Sequence, residues 1–296
     1  MVVLLALFKP LSALANGFHY TTFHPVADST SYLGVWSPKT LDLLEWEAGI
    51  SLHFEHRPFQ LYQGGARIRG VIDDIVTQHL TGSLGLVSHW LEVGIDLPVA
   101  WRFSFQNPNV ATPTQEGKTR LADTQFYLKS HLFTIPAQWL QIGLLSNISA
   151  PTGSVDHFLG DNTTVFTESL LLESTPLDHF NLALNLGFEF RPTLVFRDIN
   201  KSDQFKIGFG MKYDLCPRLQ LLAELESQTR LSDPYANTAN APTEVLAGIK
   251  YLIKDSGLVL TSGLGGGIIH GSGAPLIRGF IGLSYVPSFK KRPSTQ

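Results

Sequence analysis

The sequence predicts an all-β fold, a closed antiparallel transmembrane β-barrel of about 12 strands. The first observation is strict alternation: from Phe180 to Phe190 every second residue is large and apolar, and the residues between are small or polar. A period of two is typical of a strand whose two faces meet different surroundings. The second observation is length, because such segments run for roughly 10 to 15 residues, enough for a tilted strand to cross a bilayer. The third is that short and long connections alternate along the chain.

The alternation recurs along the chain, and each segment that carries it is interpreted as one strand. Two of them, the sixth and the twelfth, fit less well because they carry apolar residues on both faces. In chain order the predicted strands are residues 46–56, 72–87, 90–102, 119–133, 138–149, 164–175, 179–191, 203–215, 218–230, 243–254, 257–269 and 275–286.

The connections predict how the barrel is oriented. Links after even-numbered strands are short, as at Cys216–Arg218, whereas most links after odd-numbered strands are longer and polar, as in residues 106–118 and 232–241. Short periplasmic turns and longer extracellular loops are typical of outer-membrane barrels. An even number of strands then places both ends of the barrel on the periplasmic side.

The polar face of the strands is predicted to line the lumen. Twelve strands of large apolar side chains would overfill a barrel of this size, and a charge facing lipid is costly at mid-bilayer. Inward charges of both signs can instead form ion pairs or contact water. Two interpretations stay open, a selectivity filter and a solvated, salt-bridged interior. The candidate pore-lining residues are Glu92, Asp96, Lys206, Lys212, Glu224 and Lys250.

Composition excludes several other classes of function. The net charge of −3 is spread along the chain, so no surface for nucleic acid is predicted. The single cysteine, Cys216, excludes an internal disulfide, and a structural zinc site of the usual kind takes several cysteines, so none is predicted. The glycine-rich stretch from Gly263 lacks the spacing of a nucleotide-binding loop, and no cofactor is predicted. Ser154 and His157 lie in a loop whose Gly and Pro residues explain it equally well as a turn, so no catalytic residues and no enzyme activity are predicted.

The N-terminal residues are predicted to be processed and then to enter or underlie the barrel. Residues 1–15 are interpreted as a signal peptide that is cleaved after Ala15. Residues 16–45 are rich in aromatic side chains and are expected either to lie in the periplasm or to plug the lumen, against Leu276 and Phe280. The barrel is assigned to residues 46–286. Residues 287–296 are interpreted as a basic, proline-containing tail or linker.

Several motifs resemble the barrel domain of OmpA-family bacterial outer-membrane proteins. The resemblance is carried by residues 23–61, with a Phe-x-Pro-x-x-Asp motif ahead of the first strand, by residues 150–173 and by residues 274–285. It implies a Gram-negative outer membrane, with lipid and lipopolysaccharide around the barrel, and insertion by the barrel assembly machinery. Tyr285 stands near the terminal aromatic position of such barrels. Peptidoglycan binding is not implied, because the matching residues do not include the domain that performs it.

Three functional classes remain compatible with the sequence. We favour an integral outer-membrane barrel with a structural role or a narrow pore for small solutes. The alternatives are an outer-membrane enzyme with a loop or rim site and a soluble lipid-binding β-barrel. Partition into outer membranes and a mobility shift on unboiled gels would separate the soluble alternative from the other two.

Overall fold

The computed structural model describes residues 18–287, except for 64–65, 106–114, 136–138, 197–198 and 255. The predicted signal peptide lies outside the described residues, as do all but the first residue of the predicted tail and most of the predicted loop 106–118. Among the described residues there is no helix that is long and apolar enough to span a membrane.

The described chain is built from strands joined by turns, loops and two single 3₁₀ turns at Val155–His157 and Thr238–Asn240. The strands are β1 (Trp46–Gln63), β2 (Ala66–Val87), β3 (Leu91–Phe105), β4 (Gln115–Gly117), β5 (Arg120–Leu121), β6 (Thr124–Thr134), β7 (Leu140–Ala150), β8 (Val165–Leu177), β9 (Phe180–Phe190), β10 (Leu194–Phe196), β11 (Ile199–Lys201), β12 (Gln204–Cys216), β13 (Leu219–Arg230), β14 (Thr243–Leu252), β15 (Leu258–Ile269) and β16 (Ile277–Tyr285).

Twelve long strands of the described chain form one antiparallel sheet, each paired with its neighbours. The sheet closes because β1 pairs with β16, from Ala48 opposite Tyr285 to His56 opposite Ile277. Closure removes the open edges, which hydrocarbon would not tolerate. The predicted fold, a closed antiparallel barrel of about 12 strands, is therefore confirmed. Of the remaining strands, β4 and β5 pair with β3, and β10 and β11 form a hairpin in the loop between β9 and β12.

The strand boundaries differ from the predicted ones mainly at the first hairpin. There, β1 and β2 extend beyond the predicted ranges 46–56 and 72–87. The pairing shifts register after His56, at Phe59. Such a shift interrupts the two-residue period, so alternation alone could not show that the strands continue. The strand predicted over 119–133 also begins later than expected, because β5 and a short link precede β6.

The two faces of the wall differ as the alternation predicts. Ile249 is 41% exposed, whereas the next residue, Lys250, is 4% exposed. Likewise Ile281 is 53% exposed and Phe280 only 9%. An apolar outer belt and a polar interior are the arrangement of a membrane barrel, because the outer face meets lipid tails. Exposed tryptophans mark the edge of this belt at the short-turn end: Trp46, Trp90 and Trp139.

Surface labelling tests the orientation of the barrel. An epitope tag inserted after Ala236, in the exposed loop between β13 and β14, is expected to be labelled on intact cells, because long loops face outwards. The matched control is the same tag inserted after Pro217, in the short turn between β12 and β13, which should be labelled only after permeabilisation. The reverse pattern would show that the barrel is inserted the other way.

Candidate functional site

Residues 18–41, which we call the internal segment, lie inside the barrel. Most of their aromatic and apolar side chains are buried, with Phe23 and Leu33 in one cluster with the inward-facing Phe280. The Phe23 and Phe280 rings are 6.2 Å apart. The contact with Phe280 is the one expected from the sequence, but Leu276 is 38% exposed and lies outside this cluster. Leu276 precedes β16, so the alternation of that strand does not determine its direction.

The internal segment runs the full length of the lumen. At the long-loop end, the Phe18 ring lies 5.3 Å from Phe59 and 5.5 Å from Phe158. At the short-turn end, the amide of His89, in the turn between β2 and β3, donates to the carbonyl of Leu41 at 3.2 Å. The sequence left open whether this segment lies in the periplasm or plugs the lumen. It reaches the long-loop end because the large aromatic residues near its start pack with the loops there.

Glu224 on β13 holds the middle of the internal segment. Its carboxylate accepts hydrogen bonds from three successive backbone amides, those of Leu33, of Gly34 at 2.8 Å and of Val35 at 3.2 Å. A carboxylate that accepts several backbone N–H groups makes strong, charge-assisted bonds. A side chain at Gly34 would overlap the Glu226 carboxylate and the Phe23 ring, so a larger residue here would have to displace both.

Two wall lysines bind carbonyl groups of the same segment. Lys250 Nζ donates to the carbonyls of Ser31 at 2.7 Å and Ser29 at 3.2 Å. Lys212 Nζ donates to the carbonyl of Thr30 at 3.1 Å. The internal segment has no regular secondary structure, so its buried backbone groups need partners from elsewhere. The two lysines and Glu224, which lie on the adjacent strands β12, β13 and β14, supply these partners.

A buried charge network joins the segment to β3 and β6. Lys129 Nζ lies 2.9 Å from Asp28 of the segment and 3.4 Å from Glu92, and all three side chains are almost fully buried. Glu92 also accepts the amide of Leu41 at 2.9 Å. Loss of one partner from such a network costs about 3–5 kcal/mol, because an uncompensated charge stays buried. The network therefore fixes the segment against the wall.

Asn185 on β9 binds the segment through both ends of its amide. Its Oδ1 accepts the Trp36 amide at 2.7 Å, and its Nδ2 donates to the Trp36 carbonyl at 2.9 Å. This pair of hydrogen bonds imitates the pairing of a neighbouring strand. The alternation in the sequence places Asn185 on the polar face that lines the lumen. It gives Asn185 no role, because alternation shows which way a side chain points and not which residue it contacts.

The six candidate pore-lining residues all occupy inward positions, but they differ in what they contact. Glu92, Lys212, Glu224 and Lys250 bind the internal segment, as described above. Asp96 is hydrogen-bonded to His79 at 2.9 Å. Lys206 lies 3.1 Å from Glu189 and borders an open cavity.

Two cavities flank the internal segment. The larger, of about 130 Å³, lies between the segment and the wall formed by β6–β9 and β12–β14. The smaller, of about 50 Å³, lies on the opposite side, against β1, β15 and β16. Both have polar side chains in their walls. The segment therefore narrows the lumen without filling it.

The large cavity is bordered at the long-loop end by a charged cluster. Arg191 binds Asp161 and lies 3.1 Å from Glu189. Lys201, in the loop hairpin, donates to the His19 carbonyl at 2.9 Å. Burial, aided by repulsion from the Arg191 guanidinium, lowers the pKa of the Lys201 ammonium to about 7. Lys201 is therefore only partly charged near neutral pH.

The loop considered for catalysis is held together by local hydrogen bonds. Ser154 Oγ and His157 Nδ1 lie 2.8 Å apart within one 3₁₀ turn. Asp123 accepts the amides of Gly153 and Asp161, both at 2.8 Å. The carboxylate of Asp123 thus ties this loop to the start of β6.

No family model matches the chain, and no curated protein sequence is significantly similar to it. Among solved structures, the chain is similar to an outer-membrane channel from Pseudomonas putida F1, with 13% identity, a TM-score of 0.62, and coverage of 84% of this chain and 97% of that one. It is also similar to the NanC porin, with 8% identity, a TM-score of 0.53 and coverage of 81% and 98%. It is similar as well to the KdgM porin, with 10% identity, a TM-score of 0.50, and coverage of 80% of this chain and 98% of that one.

At these identities the similarity concerns the fold. The closed barrel and its apolar outer belt identify the chain as a transmembrane β-barrel of the outer-membrane type, and these neighbours share that fold. The narrower resemblance to the OmpA family stays a prediction.

Proposed function

We propose that this protein is a narrow outer-membrane channel for small polar solutes, with the internal segment as a plug that limits the pore. The observation that carries the proposal is the segment itself: wall side chains bind its backbone along the lumen, and a polar cavity remains beside it. A lumen with polar walls lets water and small polar solutes cross the membrane, whereas the lipid tails around it do not.

The candidate residues take two roles in this proposal. Glu92, Lys212, Glu224 and Lys250 are plug anchors, because each binds the backbone of the internal segment or a charged residue beside it. Lys206 and Asp96 contribute charge to the pathway itself. A structural barrel without a solute pathway is the second candidate, favoured by the extent of these contacts.

Further parts of the proposal concern the surroundings of the protein. The apolar belt would contact lipid and lipopolysaccharide, and Tyr285 at the end of β16 would be read by the barrel assembly machinery. Membership of the OmpA family, a cleaved signal peptide and the lack of an enzymatic activity belong to the same proposal. The sequence motifs support the first two, and the channel fold of the neighbours supports the third.

Removal of one further contact between the wall and the plug tests the proposal. Asn185→Ala deletes both hydrogen bonds to Trp36 and is expected to increase the time spent in larger conductance states, because the segment is then less firmly held. Single-channel recording in planar bilayers measures this.

The matched control is Asn181→Ala, on the same face of β9. Asn181 accepts a hydrogen bond from Thr175 and not from the segment, so its loss should leave the conductance unchanged. Absence of discrete conductance from the intact protein and from Asn185→Ala would favour the structural barrel instead.

A further inference from the structure

The wall of the larger cavity holds buried polar atoms that have no hydrogen-bond partner among the described residues. Gln204 is only 2% exposed, yet its Oε1 is unpartnered. The Arg191 side chain is 5% exposed, and its Nε is unpartnered although its two terminal nitrogens bind Asp161 and Glu189. Five residues that line this cavity carry such an atom: His24 Nδ1, Asn147 Oδ1, Arg191 Nε, Gln204 Oε1 and Glu226 Oε1.

Unpartnered buried polar atoms are uncommon in folded proteins, because each one loses its hydration without compensation. Here several of them belong to residues that line one cavity, and these residues come from β7, β12, β13, the internal segment and a loop. They contribute nothing to the folding contacts described above. Their convergence therefore indicates a site for a polar molecule.

The chemistry of these atoms selects the class of that molecule. Asn147 Oδ1, Gln204 Oε1 and Glu226 Oε1 accept hydrogen bonds, so the molecule must donate several. An anion would meet these oxygens unfavourably. Basic and acidic side chains border the same space, with Arg191 and Lys206 paired to Asp161 and Glu189, so the lining as a whole selects neither a cation nor an anion. Hydroxyl groups both donate and accept, and they carry no charge.

The rest of the lining agrees with an uncharged, hydroxyl-rich molecule. Much of the wall is made of neutral amide and hydroxyl side chains, among them Gln125, Ser149, Thr167 and Ser169, and Trp36 adds an aromatic surface for carbon-bound hydrogens. The volume of about 130 Å³ is more than the roughly 10–15 Å³ that a single water needs, so the cavity has room for a small molecule such as glycerol or erythritol.

We propose that the larger cavity is a binding subsite for a small uncharged polyol, in which Gln204 and Asn147 accept hydrogen bonds from hydroxyl groups and Arg191 Nε donates one. The inference rests on the proposed channel function and names the solute class of the same pathway.

Saturable uptake of erythritol into proteoliposomes tests the subsite. The double variant Asn147→Leu/Gln204→Met keeps side-chain size but removes two acceptors, and it is expected to raise the half-saturation concentration at least about tenfold. Thr261→Val, which removes a hydroxyl from the smaller cavity, is the control and should leave that concentration unchanged. Mobility shifts on unboiled gels show that each variant is folded.

Three results would overturn the subsite: non-saturable erythritol uptake by the intact protein, equal half-saturation in the double variant, or tighter binding of choline or lactate than of erythritol. Each can occur while Asn185→Ala still changes the ion conductance, in which case the channel stands and only the solute class is wrong. Absence of discrete conductance from both the intact protein and Asn185→Ala would instead contradict the proposed function.

Discussion

Deletion of residues 18–40 is expected to raise the single-channel conductance at least about threefold, since a twelve-stranded barrel without its plug encloses an aqueous lumen. The removed residues carry the buried rings of Phe18, Phe23 and Tyr32, which occupy the lumen of the intact protein. The barrel should still close, because the pairing of β1 with β16 begins at Ala48 and does not involve the segment.

The charges that the deletion uncovers are tolerable. Glu224 and Lys250 lose their backbone partners, but water enters the space and hydrates them, so they are not left as buried unpaired charges. Planar-bilayer recording gives the conductance, and the mobility shift between unboiled and boiled samples shows that the barrel is folded. If the folded deletion variant conducts no more than the intact chain, the segment is not what limits the pore. If the variant fails to fold, the Asn185→Ala result decides the question.

Leu184→Arg is expected to abolish stable insertion. Leu184 lies at the middle of β9 on the lipid-facing side, between Leu172 and Phe209 of the neighbouring strands. A basic side chain at mid-bilayer costs about 2–4 kcal/mol on the lipid face of such barrels. That free energy corresponds to a roughly 30- to 800-fold change in the folding equilibrium. The folded fraction in lipid vesicles, read from unboiled gels over a urea titration, measures the effect.

The matched control places the same side chain on the other face of the wall. Ser169→Arg on β8 points into the larger cavity opposite Gly187, which has no side chain to collide with. A charge there meets a polar interior, so insertion should be nearly normal. Equal folded fractions for the two variants would contradict the assignment of the faces.

The sequence was sufficient to predict the barrel because its main signal is local. The residues from Phe180 to Phe190 alternate without interruption, and β9 occupies those same residues. Lipid on one side and water on the other impose the same two-residue period on every strand, so the number of strands could be read off the chain. Where a register shift breaks the period, as between His56 and Phe59, the prediction ended too early.

The direction of each candidate site residue was also contained in the sequence, but its partner was not. Alternation placed Glu224 and Lys250 towards the lumen, and the structure has them there. It could not show that Glu224 meets the amide of Leu33, 191 positions away, because nothing in either local pattern refers to the other.

The sequence by itself thus determined the strands, their two faces and the closure of the wall, since these follow from local periodicity and from the need to satisfy every backbone group in lipid. Only the tertiary structure decided that residues 18–41 run through the lumen. That course depends on long-range contacts at both ends, where Phe18 meets Phe158 and Glu92 meets Leu41. An irregular segment has no period of its own, and its buried backbone polar groups take partners that only the assembled barrel brings into reach.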